Sequence, residues 1–325
     1  MNKPPFKYTD KIILYVSEIQ KLLGEIQGAS GIVKPTPKLR KQNKIKTIHH
    51  SLAIEGNQLT QKQITAVLEI KRVIGPKHQI IEVQNANRLY QNINQLSSFK
   101  EADLLRAHSI LMQNLVEKPG QYRKGAVGIL KGHNVSRIAP PAKLVPQLMS
   151  NLFDFLRNDK SVLPLIKACI FHYELEIIHP FADGNGRIGR FWQQLSLIQQ
   201  SSIFEYLAVE TWIHKEQKKN YNALEKSDVA GESTFFIEFS LELILKELKI
   251  FKKQFVISKV TALDRITIAK NQFGNNKFSR KDYMLIHRNI SSATASRDLY
   301  LAVKSNQLLM TGMKSKAVYI FKKFN

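Results

Sequence analysis

The twelve residues from His179 to Arg190, "HPFADGNGRIGR", combine side chains that handle phosphate. A long apolar stretch ends at Ile178, a turn holds His179, Asp183, Gly184, Asn185 and Gly186, and a new helix follows with Arg187 near its first turn. Backbone N–H groups at a helix N-terminus, opened to close approach by glycines, bind anions, and Arg187 and Arg190 add positive charge at i, i+3 on one face. Asp183 beside such a cradle suits Mg²⁺, which is held by one or two carboxylates together with substrate phosphates. His179, at the edge of the same turn, is placed to take a proton from an attacking hydroxyl. Taken singly these features are ordinary: a histidine before proline is usually structural, Gly-Asn-Gly is usually a turn, and arginines on a helix usually face solvent. Their coincidence in one short segment points to phosphate chemistry.

A second candidate lies upstream in "SLAIEGNQLT", Ser51 to Thr60. Glu55 falls in what reads as the last turn of a helix, where a carboxylate against the negative end of the macrodipole costs roughly 0.3–1 kcal/mol when exposed. A cation facing it would offset that cost. Gly56 supplies the helix stop, and Thr60 with Gln63 has the spacing of a capping box that opens the next helix.

These groups need helices to position them. Helical periodicity covers residues 8–27, 41–55, 60–70, 79–96 and 101–114, then 145–158, 162–178, 186–200, 214–226 and 235–255. Between Gly120 and Pro141 short apolar runs punctuated by Gly and Pro suggest a hairpin or irregular flap. A second change near Ser258 leaves three helical segments, at 259–271, 280–287 and 293–305, and a tail with the form of strand, turn and strand. That is the winged-helix layout, a helix-turn-helix variant whose third helix can enter a major groove. Ser292 or Thr294 would cap that helix. The expectation is a mainly α protein with an N-terminal helical region over 1–85, a core over 86–255 and a winged-helix-like domain over 256–325.

The chain has 325 residues, 43% of them hydrophobic, and a formal charge of +23. About +13 of that charge falls between Lys246 and Asn325, where roughly 17 basic residues face about 4 acidic ones. This raises nucleic acid as a partner, through neutralisation of phosphates. Joint richness in Lys, Ile and Asn, which coding composition alone can produce, makes the concentration of charge a better argument than its total. The single cysteine, Cys169, lies in an apolar helical stretch, so no disulfide framework is expected and the compartment is reducing. Prolines stand where a signal peptide would place its apolar run, and no stretch approaches 18 apolar residues. The reading is a cytoplasmic protein without a membrane span.

The stretch at 179–190 resembles the motif of the Fic family, His-Pro-Phe-x-Asp/Glu-Gly-Asn-Gly-Arg-x-x-Arg, with every fixed position present. The resemblance implies a helical core with a small β-hairpin flap. It also implies transfer of AMP from ATP, with Mg²⁺, to a Ser, Thr or Tyr hydroxyl of a target protein or of the enzyme itself. On that implication His179 is the general base, Asp183 the Mg²⁺ ligand, and Gly184, Asn185, Gly186, Arg187 and Arg190 meet the nucleotide, with Phe181 packed beneath the loop. "GQYR" at 120–123 and the stretch after it resemble the flap, so Ile129, Leu130, Lys131 and Gly132 would approach nucleotide and target. Common family versions carry a glycine directly after the apolar flap residue, where Leu130 and Lys131 stand here. "KKNYNALEKS" resembles the adenosine-side helix, with Asn220 and Tyr221 at its two tyrosine positions. "SLAIEGN" resembles the inhibitory motif of class II Fic proteins, whose glutamate pairs with the second motif arginine. Glu55 would then hold Arg190 and deny the ATP γ-phosphate a donor. Ser51 would support it by a hydrogen bond within the inhibitory helix.

Other readings stay open: removal of AMP with the inhibitory glutamate taking part, transfer of another phosphate-containing group, or a DNA-binding regulator whose Fic core senses nucleotide. Intact His179 and Asp183 favour an enzyme. Neither the target nor self-association into a homo-oligomer is fixed by the sequence.

Overall fold

The computed structural model describes residues 3–30, 37–131, 134–257, 261–287, 290–312 and 317–322. The chain divides into two compact units, Met1–Leu23 with Thr36–Phe251, and Gly24–Pro35 with Lys252–Asn325. In order the helices are α1 (Asp10–Ser30), α2 (Pro37–Ile54), α3 (Gln61–Leu68), α4 (Lys77–Gln91), α5 (Glu101–Leu111), α6 (Val145–Asn158), α7 (Pro164–Ile178), α8 (Asn185–Gln200), α9 (Glu210–Lys215), α10 (Gln217–Ala230), α11 (Thr234–Ile257), α12 (Ala262–Phe273), α13 (Arg280–Ile286) and α14 (Ser292–Lys304). Among the described residues no helix is long and apolar enough to cross a membrane.

The first unit is organised on the α7–α8 hairpin, whose connection is the 179–184 turn. α7 is apolar on nearly every side and correspondingly enclosed, with Ile166, Cys169, Ile170, Phe171 and Leu175 fully buried. Phe153 of α6 meets Phe171 edge-on at 5.3 Å. Lys167, buried within α7, donates to the carbonyls of Phe155 and Leu156 at the C-terminal end of α6, where the macrodipole favours a cation.

Helices from the expected N-terminal region fold onto this same core. α2 packs on α4, α8 and α9 through a face that buries Ile45, Ile48 and Leu52. Gly56 ends α2 at φ +91°, a backbone state that carries no Cβ penalty in glycine. The capping box forms: Gln63 N–H donates to Thr60 Oγ1 at 3.3 Å and Thr60 N–H to Gln63 Oε1 at 3.0 Å. α1 continues through Gly28 to Ser30, past the break read at 28, because a helix tolerates a single glycine at a cost of about 1 kcal/mol. The helix expected over 214–226 is two, α9 and α10, which meet at Glu216, where φ −108° and ψ 31° leave the helical range. No Pro or Gly marks that junction. β1 (Gly128–Lys131) and β2 (Asn134–Ile138) form the antiparallel flap, with an irregularity between Ile129 and Leu130. Gly132 lies outside the described residues.

In the second unit α12, α13 and α14 combine with β3 (Phe278–Ser279) and a hairpin of β4 (Leu308–Thr311) and β5 (Val318–Phe321), in sheet order β3-β5-β4. Ile266, Phe278, Tyr283, Leu299, Leu308 and Phe321 are central to its core. Ser291, one residue ahead of Ser292 and three ahead of Thr294, the two expected caps, accepts the Thr294 N–H at 3.1 Å and starts α14. Two residues of strand, as in β3, leave no periodic signal in a sequence.

Candidate active site

The turn after α7 is held in a strained shape from three sides. His179 adopts φ 49° and ψ 58°, a left-handed state costing a non-glycine residue roughly 1–2 kcal/mol. Arg123 offsets this. Its Nε donates to His179 O at 2.7 Å, its Nη2 to Pro140 O at 2.6 Å and its Nη1 to Gly125 O at 2.9 Å, while its N–H donates to Pro180 O at 2.9 Å. One buried guanidinium thus ties the end of α7 to both feet of the flap, and burial lowers its pKa.

His108 of α5 fixes the next peptide. Gly120 N–H donates to its Nδ1 at 2.9 Å, so the ring proton is on Nε2, which donates to Asp183 O at 2.9 Å. Burial pushes this histidine down to about 4, and its ring stacks on Phe181 at 3.7 Å. Asn185 closes the turn internally, accepting the Phe181 N–H and donating to Phe181 O, both at 2.9 Å. Its side chain therefore shapes the loop. Its backbone N–H, with those of Gly186 and Arg187, belongs to the first turn of α8, where helix geometry leaves donors free for an anion. Gly184 precedes that turn at φ +85°, and a Cβ there would stand 2.7 Å from Met112 Sδ.

His179 Nδ1 lies 3.3 Å from the carbonyl oxygen of Glu176. A carbonyl only accepts, so Nδ1 carries the proton and Nε2 is the basic nitrogen. Burial pushes the Glu176 carboxyl up, but the hydrogen bond from His172 and the charges of His172, His179 and Arg190 outweigh it and hold the group below the usual carboxylate range.

The two motif arginines have different neighbours. Arg187 donates Nη1 to Glu82 Oε1 of α4 at 2.8 Å and Nη2 to both oxygens of Asp183 at 3.0 Å. Its Nε is buried without a hydrogen-bond partner among the described residues. Glu82 is itself held by Asn57 Nδ2 at 2.7 Å. Arg190 donates Nη2 to Glu55 Oε1 at 2.8 Å and to Ser51 O at 2.9 Å, and Nε to Ser51 Oγ at 3.1 Å. The cation facing Glu55 is therefore Arg190. Ser51 acts by a different route from the one expected: its hydroxyl takes the arginine across the interface instead of bonding within α2. Gly186 makes room for the pair, since a Cβ there would meet Glu55 Oε1 at 2.7 Å and Arg190 Nη1 at 3.0 Å.

A cleft of about 350 Å³ gathers these groups. His179, Asp183, Gly184, Asn185, Gly186, Arg190 and Glu55 line it, and Asn220 and Tyr221 of α10 line its other end. The flap enters the lining through Val127 and Gly128. Arg187 sits behind Asp183. Tyr221 Oη accepts from Gln217 Nε2 at 3.0 Å, and the same nitrogen donates to Ile54 O at 3.3 Å, linking the two ends. Asp183 fits a Mg²⁺ ligand: its side chain is 58% exposed, and a single carboxylate completed by phosphate oxygens is how this ion is commonly held. Among the described residues no cluster of three or more His, Cys, Asp or Glu forms a cage that would hold an ion without substrate.

A buried helix hairpin, a strained histidine turn, a helix start with free N–H donors and a two-stranded flap together make up the arrangement that the resemblance to the Fic family implies. Residues 98–197 match the Fic/DOC family model. A crystal structure of a Fic family protein from Desulfovibrio desulfuricans G20 is 36% identical, covers 100% of this chain and 99% of its own, and superimposes with a TM-score of 0.73. The chain belongs to the Fic/DOC family. It is also 32% identical over 177 residues to the protein adenylyltransferase fic-1 of Caenorhabditis elegans, a match covering 50% of this chain and 34% of that protein. The solved structure of C. elegans Fic-1 shares the fold, with a TM-score of 0.59 at 21% identity over 76% of this chain and 75% of that one. The chain spans between about a third and a half of the length of the curated relatives it matches.

Proposed function

We propose that this chain transfers AMP from ATP to a hydroxyl side chain of a protein, itself included, and that Glu55 restrains the reaction. The observation that carries the reading is the cleft in which a histidine with a basic Nε2 stands beside an anion-binding helix start. The hydroxyl oxygen attacks the α-phosphorus, the bond from that phosphorus to the bridging oxygen breaks, and pyrophosphate leaves. His179 Nε2 takes the hydroxyl proton. Backbone N–H groups at the start of α8 and the two arginines hold the phosphates, and Arg123 and His108 keep the turn in shape while this happens. Bound at Asp183, Mg²⁺ would supply charge neutralisation on the phosphate oxygens. Asn220 and Tyr221 receive the nucleoside, and the flap strand Gly128–Lys131 aligns the target segment by main-chain pairing. The adenylyltransferase names of the curated relatives agree with this chemistry.

The Glu55–Arg190 contact supports the restraint: it would occupy a donor that a γ-phosphate needs, as the resemblance to class II proteins implies. Because the Glu55 carboxylate opens onto the same cleft as His179, it is also placed to orient water on an AMP-modified side chain. Removal of AMP is thus the second reading. The reducing interior of a cell, where ATP and Mg²⁺ are abundant, is the compartment this scheme requires.

Incubation with labelled ATP and Mg²⁺, followed by mass spectrometry of the chain, tests the transfer. His179→Ala should lower AMP addition 10²–10⁴-fold while ATP binding persists. Addition at the wild-type rate in that variant would remove the mechanism.

A further inference from the structure

The second unit has a use that the transfer reaction does not explain. Residues 252–325 contain 15 Lys and Arg against 3 Asp. All three carboxylates have structural tasks. Asp264 caps α12 in a reciprocal box with Thr261, and Asp282 does the same for α13 with Ser279. Asp298 is fully buried and takes Arg265 Nε at 2.5 Å and Nη2 at 2.9 Å, with Tyr283 Oη donating to it at 3.3 Å. The acidic groups are thus taken up locally, and among the described residues Lys277, Arg280, Lys281, Arg297 and Lys304 are exposed.

The node at Asp298 also fixes α14. Ala295, Asp298, Leu299 and Ala302 turn inward on this helix, which places Ala293, Arg297, Tyr300 and Lys304 in one exposed line. Arg280 of α13 joins the same face by donating to Ser296 Oγ at 2.9 Å. The N-terminal end of the line is small and polar, Ser292 and Ala293, and the later positions carry two cations and an aromatic ring with 64% of its surface exposed. A protein-docking face would centre on apolar side chains. Leu301 is exposed beside this line, but the line itself carries two cations and no aliphatic side chain larger than alanine.

We infer that α14 is a duplex-DNA-binding helix, entering the major groove by its small N-terminal end while Arg280, Arg297 and Lys304 meet flanking phosphates. The groove is about 12 Å wide and admits one α-helix. The three-helix unit with its β4–β5 hairpin presents the third helix as helix-turn-helix proteins do. This activity is independent of AMP transfer, so failure of either leaves the other standing.

The test uses the full chain and a fluorescent random-sequence duplex, with anisotropy read at 50 and 200 mM salt. Three phosphate contacts predict about fortyfold weaker binding at the higher salt. Arg297→Glu with Lys304→Glu, both exposed and outside the cleft, should weaken binding at least about tenfold and lower the salt slope by about two. A charge-matched control, Lys62→Glu with Lys118→Glu in the first unit, should leave binding within about twofold. Three outcomes overturn the inference. One is no duplex binding at 50 mM salt. Another is equal weakening by the two double variants, which means attraction of any polyanion to any basic surface. The third is binding to single strands of equal length as tight as to duplex, which removes the groove.

Discussion

Two arginine–carboxylate pairs, one in each unit, use the same chemistry to opposite ends. In the second unit Asp298 is 0% and Arg265 10% exposed, and the pair is bidentate with a tyrosine on the remaining lone pair. In the first, Arg190 is 5% exposed but Glu55 is 30% exposed and lines a cleft. The enclosed pair has no competitor, because nothing can reach it without unfolding the node. The half-open pair presents its carboxylate to the cleft, where an entering anion could displace it from Arg190. Accessibility of the acid, more than strength of the contact, separates a structural pair from one that can be exchanged.

The largest effect expected is on the enclosed pair. Asp298→Ala leaves a buried guanidinium without its partner and should cost about 3–5 kcal/mol, seen as early unfolding of the second unit in urea. A loss under about 1 kcal/mol would mean that the node is not enclosed and the contrast is false. Acid titration probes the next level. His108 is held near 4 when folded against an ordinary 6.5, so the unfolded chain binds more protons between those values. Stability present above pH 6.5 is therefore lost as pH falls toward 4, at roughly 1.4 kcal/mol per unit. Between pH 7 and 5 the wild type should lose about 2 kcal/mol more than His108→Gln, compared by urea midpoints. Ser51→Ala is the mildest case. It removes one hydrogen bond to Arg190, worth about 0.5–1 kcal/mol, and should raise self-AMP addition roughly two- to fivefold. No change would show that the hydroxyl is incidental to the restraint.

The sequence made the chemistry of the 179–190 turn legible because its donors and acceptors lie within one helix–turn–helix segment. Glu55 was legible for a related reason: a carboxylate at a helix end needs a cation, and Gly56 marked the end. What supports the turn was not legible. Glu82 reaches Arg187 across 105 residues, His108 reaches Asp183 across 75, and Arg123 reaches His179 across 56. No local period announces such pairings. Asn185 reads as a phosphate contact from its place in the motif, yet its amide is used by Phe181, a choice that only the closed turn reveals. The α14 cap slipped by one residue because Ser291, Ser292 and Thr294 are all competent caps, and packing of Ala295 and Leu299 selects among them.

The central claim is that Glu55 is an exchangeable partner of Arg190, and Glu55→Gly tests it most directly. The substitution removes the carboxylate next to a glycine that already ends the helix, so the fold should survive. The measurement is the rate of mass increase on the chain itself with ATP and Mg²⁺, at equal concentrations of wild type and variant, with His179→Ala added as a background. An exposed ion pair is worth under about 1 kcal/mol and could change the rate only a few-fold. Release of an anchored arginine to the γ-phosphate should give at least roughly a tenfold rise, equivalent to about 1.4 kcal/mol, abolished when His179 is also replaced. An unchanged rate in a folded, ATP-binding variant would contradict the account.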